Sequence, residues 1–230
     1  MNIIVFGDSI LKGVRLEAQG YARDNSWEEK LAAEFSVTIR NRSRFGCTVE
    51  KALPAVRREC AVEAPGEMAV VEFGGNDCDY NWKAISEDPD GTYECKTPPA
   101  LFRKDYREIL ETVKASGRIP LAITLPPIHS ERYLKFICRN GNSRENILRW
   151  LGDAEAISRW QAHYSAMVRE ITAEAGIKLL DLRAAFPKDP DTLRDYLCED
   201  GIHPSLRGQR TIYETLRICM RSGTPIPLTN

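Results

Sequence analysis

The chain predicts an α/β fold: a five-stranded parallel β-sheet covered by helices on both faces. Three observations lead there. Five strand-sized apolar runs alternate with helix-like segments, the pattern of a sheet wrapped on two sides. At 230 residues the chain buries a full core without disulfides or metal. Right-handed crossovers between parallel strands then place every strand's C-terminal end on one rim, where such sheets bind their ligands.

Each element has its own signal. Asn2–Phe6 is β-branched, apolar and ended by Gly7, and reads as a buried first strand. Ser26-Trp27-Glu28-Glu29 has capping-box spacing and predicts a helix to about Glu34. Ser36–Asn41 is the second strand, and Thr48 caps a helix running to about Glu63. Met68–Phe73 is the third, closed by Gly74-Gly75. Pro98-Pro99 opens a helix that ends at Gly117, with Leu101, Phe102, Ile109, Leu110 and Val113 on one face. Arg118–Leu125 is the fourth strand, stopped by Pro126-Pro127. Asn142 to Gly176 reads as helix, broken near Gly152-Asp153. Ile177–Leu182 is the fifth strand and Ser205 to Ser222 the last helix. Residues 1–222 are expected to form one domain, with Gly223–Asn230 an extended tail outside the core.

Two stretches look inserted, Cys78–Thr97 and Ile128–Asn142. Both follow strand ends, so they should overhang the ligand rim. Their aromatics, Tyr80 and Trp82 among them, either line a pocket or form small satellite cores.

Composition excludes several classes. A formal net charge of −1 gives no electrostatic case for nucleic acid or an anionic membrane surface. No apolar run is long enough to span a bilayer, and no leader pattern precedes the first strand, so a cytoplasmic protein is expected. The seven cysteines are scattered and never paired as Cys-x-x-Cys, which argues for reduced thiols and against structural zinc. The first turn, Gly7-Asp8-Ser9-Ile10-Leu11-Lys12-Gly13, is neither a dinucleotide fingerprint nor a P-loop. No cofactor and no metal are expected.

Chemistry-bearing residues fall in separate places. Ser9, directly behind the first strand, is a candidate nucleophile. Asp200-Gly201-Ile202-His203 brings a carboxylate and an imidazole onto one loop, so that Asp200 can hold one ring nitrogen while the other faces Ser9. Gly46, in the loop after the second strand, can present a bare backbone N–H, and Asn76, after the third, a side-chain amide. With the Ser9 N–H these make three donors for a developing oxyanion. Taken singly, each is ordinary turn or cap chemistry. Together and in this order they resemble the SGNH, or GDSL-type, hydrolases.

In that resemblance Gly7-Asp8-Ser9 looks like the first block, Asn41…Gly46…Thr48 the second, Gly74-Gly75-Asn76-Asp77 the third and Asp200–His203 the last. Ile10 stands where the family's motif has leucine. The resemblance implies a flavodoxin-like α/β/α sandwich and a serine esterase or acylhydrolase. Ser9 would be the nucleophile, His203 the base, Asp200 its orienting partner, and Ser9, Gly46 and Asn76 the oxyanion donors. A neutral imidazole base means kcat/KM rises as pH passes through about 6 to 7. Losing one oxyanion donor costs on the order of 10²–10³ in kcat.

His129, at the fourth strand's end, is expected to line the substrate pocket with Tyr80 and Trp82, and His163 to be a surface or packing residue. Asp8 and Asp77 should brace their loops. Cys47, Cys78 and Cys198 adjoin these blocks and are expected to fill tight loop packing. The insert charges Lys83, Glu87, Asp88, Asp90, Glu94, Lys96 and Arg132 point to a polar lid, hence to a short acyl or acetyl ester of a small molecule or sugar. A lysophospholipid or thioester stays open, as does a non-catalytic binding module on the same scaffold.

Overall fold

Alternation along the central strands divides the protein into two cores. In the computed structural model, which describes residues 2–222, β1 (Asn2–Gly7) sends Ile4 and Phe6 to one face and Ile3 and Val5 to the other. β5 (Met68–Glu72) and β6 (Ile119–Ile123) divide their side chains in the same way. Together with β4 (Thr38–Asn41) and β7 (Lys178–Leu180) they form one sheet in the order β4-β1-β5-β6-β7, every neighbouring pair parallel. Counted along the chain, the sheet strands run 2-1-3-4-5, the flavodoxin-like order.

Helices α2 (Val49–Cys60), α4 (Pro99–Ala115) and α7 (Ala156–Glu174) cover one face. Helices α1 (Ser26–Phe35) and α9 (Leu206–Ser222) cover the other. The expected α/β sandwich is the observed one. Thr48 caps α2 by accepting from the Lys51 N–H, as its position predicted. The helical stretch breaks where Gly152 takes a φ of 82°, between α6 (Arg144–Leu151) and α7.

Several details differ from the sequence reading. The capping box at Ser26 does not form: Asp24 Oδ1 takes the Ser26 N–H at 3.0 Å, and Asn25 becomes the N-cap. Leu101 points outward, 37% exposed, and Tyr106 fills the core face of α4 instead. A hairpin went unread, β2 (Val14–Glu17) paired antiparallel with β3 (Gly20–Arg23). Its signal was the Val14/Leu16 alternation followed by Gly20. The inserts are partly helical, containing α3 (Trp82–Glu87) and α5 (Ser130–Cys138). With α6 they build a third apolar cluster above the sheet rim, around Trp82, Ile85, Tyr133, Leu134 and Ile147. The tail at 223–230 lies outside the described residues. Among the described residues no helix is long and apolar enough to cross a membrane.

Candidate active site

Ser9 stands two residues past β1, and His203 lies 194 positions further along the chain; the fold brings them together. Ser9 Oγ is 2.9 Å from His203 Nε2, and His203 Nδ1 is 2.7 Å from Asp200 Oδ2. An ionised carboxylate only accepts, so the Nδ1–H donates to Asp200 and Nε2 is left to accept from the Ser9 hydroxyl. All three residues are buried. Asp200 Oδ1 also accepts the Ile202 and His203 backbone N–H groups, each at 3.0 Å. Burial pushes the Asp200 carboxyl up, but the imidazole and these two N–H groups outweigh it and hold it below the ordinary range.

Gly201 shows how closely the His203 loop is packed. Its φ is +72°, and a Cβ there would lie 2.6 Å from the His129 carbonyl oxygen and 2.7 Å from the Tyr133 nitrogen. The α5 insert therefore rests directly on the loop that carries His203. The His129 N–H donates to Gly201 O at 2.8 Å. From the same helix Arg132 Nη1 donates to the carbonyls of Arg194 and Leu197. This corrects the expectation for His129. Its imidazole caps α5, accepting from the Arg132 N–H, and faces a separate cavity with Asp181 and Arg183. Its contribution to the site is through its backbone.

The neighbouring donors are braced as expected. Asp8 Oδ1 accepts the Ile10 N–H at 2.8 Å, and Asp8 Oδ2 accepts from Asn76 Nδ2 at 2.9 Å. Asp77 Oδ1 accepts the Val49 N–H at 3.0 Å, tying the loop after β5 to the start of α2. Gly46 sits half-buried at φ +67°, next to Phe45 at the cavity mouth. Burial drives three acids here upward. The Asp8 carboxyl is raised, Asp77 is pushed up to about 7, and Glu72 is raised well above its ordinary value by burial and by the Asp8 charge.

Ser9, Asn76, His203, Asp8 and Glu72 open onto a cavity of about 580 Å³ that also takes in Tyr80 and Trp82. Two aromatic residues at its mouth escaped the sequence reading. Tyr21 of β3 lies 5.0 Å from the His203 ring, and Phe45 stacks parallel to it at 5.8 Å. No local pattern marks either residue; the hairpin signal was the one route to Tyr21. His163 is a surface residue stacked on Trp160, as anticipated.

The seven insert charges do not form a polar lid over the cavity. Lys83, Glu87, Asp88, Asp90, Glu94 and Lys96 all point to solvent, several in ion pairs with one another or with their neighbours. Arg132 turns to the His203 loop, and none of the seven lines the cavity. The phase of α3 turns Lys83 and Glu87 outward and Trp82 inward, while Asp79, Arg139 and Asn140 of the inserts do line the cavity. Cys78 does line the wall, with its thiol against Gly75 O and pushed up by burial, and burial raises Cys47 to about 11. Neither is a poised nucleophile.

Comparison with known proteins agrees with this architecture. The sequence model of the GDSL-like lipase/acylhydrolase family matches residues 5–211. The chain belongs to that family and is by class a carboxylic ester hydrolase. Among solved structures it is similar to a lipase/acylhydrolase from Enterococcus faecalis, with 20% identity, TM-score 0.65 and 99% of each chain covered. It is also similar to a member of the lipolytic G-D-S-L family from Veillonella parvula (18% identity, TM-score 0.65, 96% of this chain and 99% of that one). A third likeness is to a variant of an acetyl xylan esterase from Geobacillus stearothermophilus (17%, TM-score 0.65, 99% and 97%). At these identities the likeness is one of fold. No curated protein matches the chain.

Proposed function

We propose that this chain is a serine esterase that carries its acyl-enzyme on Ser9. The observation that supports this most is the hydrogen-bonded row from Ser9 through His203 to Asp200, 2.9 and 2.7 Å, buried beside a small-molecule-sized cavity. Each role follows from an atom's position. His203 Nε2 takes the Ser9 proton as Oγ attacks the ester carbonyl, and Asp200 holds the ring in the tautomer this requires. The oxyanion that forms is met by the Ser9 and Gly46 N–H groups and by Asn76. That amide gives one hydrogen to Asp8, which fixes its plane and leaves the other for the oxyanion. His203 then returns the proton to the departing alcohol. Water, deprotonated by the same nitrogen, attacks the acyl-enzyme and frees the acid and Ser9.

The substrate on this reading is a small-molecule ester, and the site needs no metal or cofactor to complete the cycle. The acetyl xylan esterase likeness is in keeping with ester cleavage, and the cavity beside Ser9 receives the acyl group. The same parts would serve a thioester or lysophospholipid. A non-catalytic binding module is the weaker reading, because a spent site has no reason to keep an imidazole aligned on a serine. Seven free thiols fit a reducing, cytoplasmic setting.

A fluorophosphonate probe tests the proposal. It should label the wild type once, leave Ser9→Ala unlabelled, and Ser9→Ala should lose on the order of 10⁴ or more in nitrophenyl-ester turnover. Wild-type turnover in Ser9→Ala would refute it.

A further inference from the structure

The cavity above Ser9 has two unlike ends. One end holds Ser9, Asn76 and His203, and its mouth is flanked by Tyr21 and Phe45, 42% and 53% exposed. The other is walled by six rings: Tyr80, Trp82, Tyr133, Phe136, Trp150 and Trp160. Tyr80 packs edge-on to Trp82 at 5.6 Å and to Trp150 at 4.9 Å, and lies 6.1 Å from Trp160. All but Trp150 and Trp160 come from the two inserts, and those two follow on α6 and α7.

Three of the five polar ring atoms of this wall are already occupied. Trp82 Nε1 and the Tyr133 hydroxyl both donate to Asp79 Oδ1, at 2.7 and 2.6 Å. Trp160 Nε1 donates to Cys78 O at 3.0 Å. Gln161 donates to Pro126 O and accepts from Arg183. What is left for an occupant is mainly ring surface, together with the Tyr80 hydroxyl, Trp150 Nε1 and the side chains of Arg139 and Asn140. A sugar ring would bring hydroxyls that find few partners here, and stripping them of water is costly. An apolar group gives up nothing. The volume of about 580 Å³ falls within the usual range of small-molecule sites, and an acetyl group would leave most of it unfilled.

Resting on the reading of Ser9 as nucleophile, we propose that the chamber is an acyl site for an apolar group of ring size or medium chain length. Direction follows from proton traffic. The departing alcohol must lie at His203 Nε2, and the His203 ring is the one flanked by exposed Tyr21 and Phe45, so the alcohol faces the mouth. The acyl group extends away from it, between Tyr80, Trp150 and Trp160. Each methylene buried there adds about three- to fourfold to kcat/KM.

The test is a series of p-nitrophenyl esters from acetate to decanoate, with benzoate and an acetylated xylo-oligosaccharide added. The readout is the ratio of kcat/KM for hexanoate over acetate on one preparation, so the fraction of folded enzyme cancels. Wild type should give a ratio of about ten or more, rising toward about 100 for full burial of four methylenes. Trp150→Ala removes ring surface and Ala156→Trp fills the chamber from the start of α7; each should cut the ratio about fivefold or more. A wild-type ratio near one, with Ser9 still labelled by the fluorophosphonate, overturns the acyl site and spares the nucleophile. So does a high ratio that neither variant moves, or an acetylated sugar cleaved faster than hexanoate. With no ester cleaved and no label on Ser9, both proposals fall.

Discussion

Two buried glutamates mark the two ends of β5, and their chemistry is opposite. Glu67, one residue before the strand, meets Arg118 Nε at 2.7 Å and Arg40 Nη2 at 2.9 Å. Burial pushes its carboxyl up, but the two guanidiniums outweigh that and hold it below the ordinary range. Glu72, the strand's last residue, is wholly buried, and its neighbour is another acid, Asp8, in place of a guanidinium. Burial and the Asp8 charge raise it well above the ordinary value. Desolvation acts at both ends; the partners differ. At the N-terminal rim they close an ion-pair network that fixes the chain. At the C-terminal rim Glu72 lies against Asp8, which neutral donors hold, beside the cavity onto which Ser9 opens, the kind of place where chemistry is done. Asp200, on that rim, is held below the ordinary range instead, because donors converge on it.

The contrast can be broken at either end. Asp200→Asn should have the largest effect, a fall of about 10³–10⁴ in kcat with the fold retained, because the imidazole loses the acceptor that fixes its tautomer. Ester turnover within tenfold of wild type would deny the upper rim its chemical role. Arg118→Ala strikes the lower end. Leaving Glu67 buried with half its compensation should cost about 3–5 kcal/mol in urea unfolding. Turnover per probe-labelled enzyme should not change, and a large drop in it would mean that the lower rim is not merely structural.

Glu72→Gln should be the mildest, with turnover within about tenfold of wild type and its signature in stability. At pH 4 the glutamate is largely protonated folded or unfolded, so the variant gains little. As pH rises the unfolded chain releases this proton and the folded protein retains it, so wild type loses stability that glutamine does not. The melting-temperature difference should widen in the variant's favour from pH 4 to pH 8. A difference that shrinks or reverses over that range would mean Glu72 is ionised and compensated in the fold.

How much of this was legible follows from the range of the signals. The five sheet strands were, because Asn2–Phe6 and Met68–Phe73 are dense apolar runs with glycine stops. Ser9, Asn76, Asp200 and His203 could be singled out as candidates because each sits in a short block at a strand end or on one loop. The Ser26 box failed because the competing Asp24 lies just outside the motif. His129 was misplaced because its backbone, resting on Gly201, matters more to the site than its imidazole. The lid's polarity was misjudged for a similar reason: composition counts Lys83 and Trp82 alike, and only the helix phase turns one to water and the other to the cavity. Tyr21 and Phe45 meet His203 through tertiary contact alone.

Quenching the enzyme with acid during turnover of a nitrophenyl ester and weighing its peptides tests the covalent step most directly. The peptide containing Ser9 should gain the mass of one acyl group, and the gain should be absent from Ser9→Ala. Sustained turnover with the acyl group on another residue, or on none, would contradict a covalent step on Ser9.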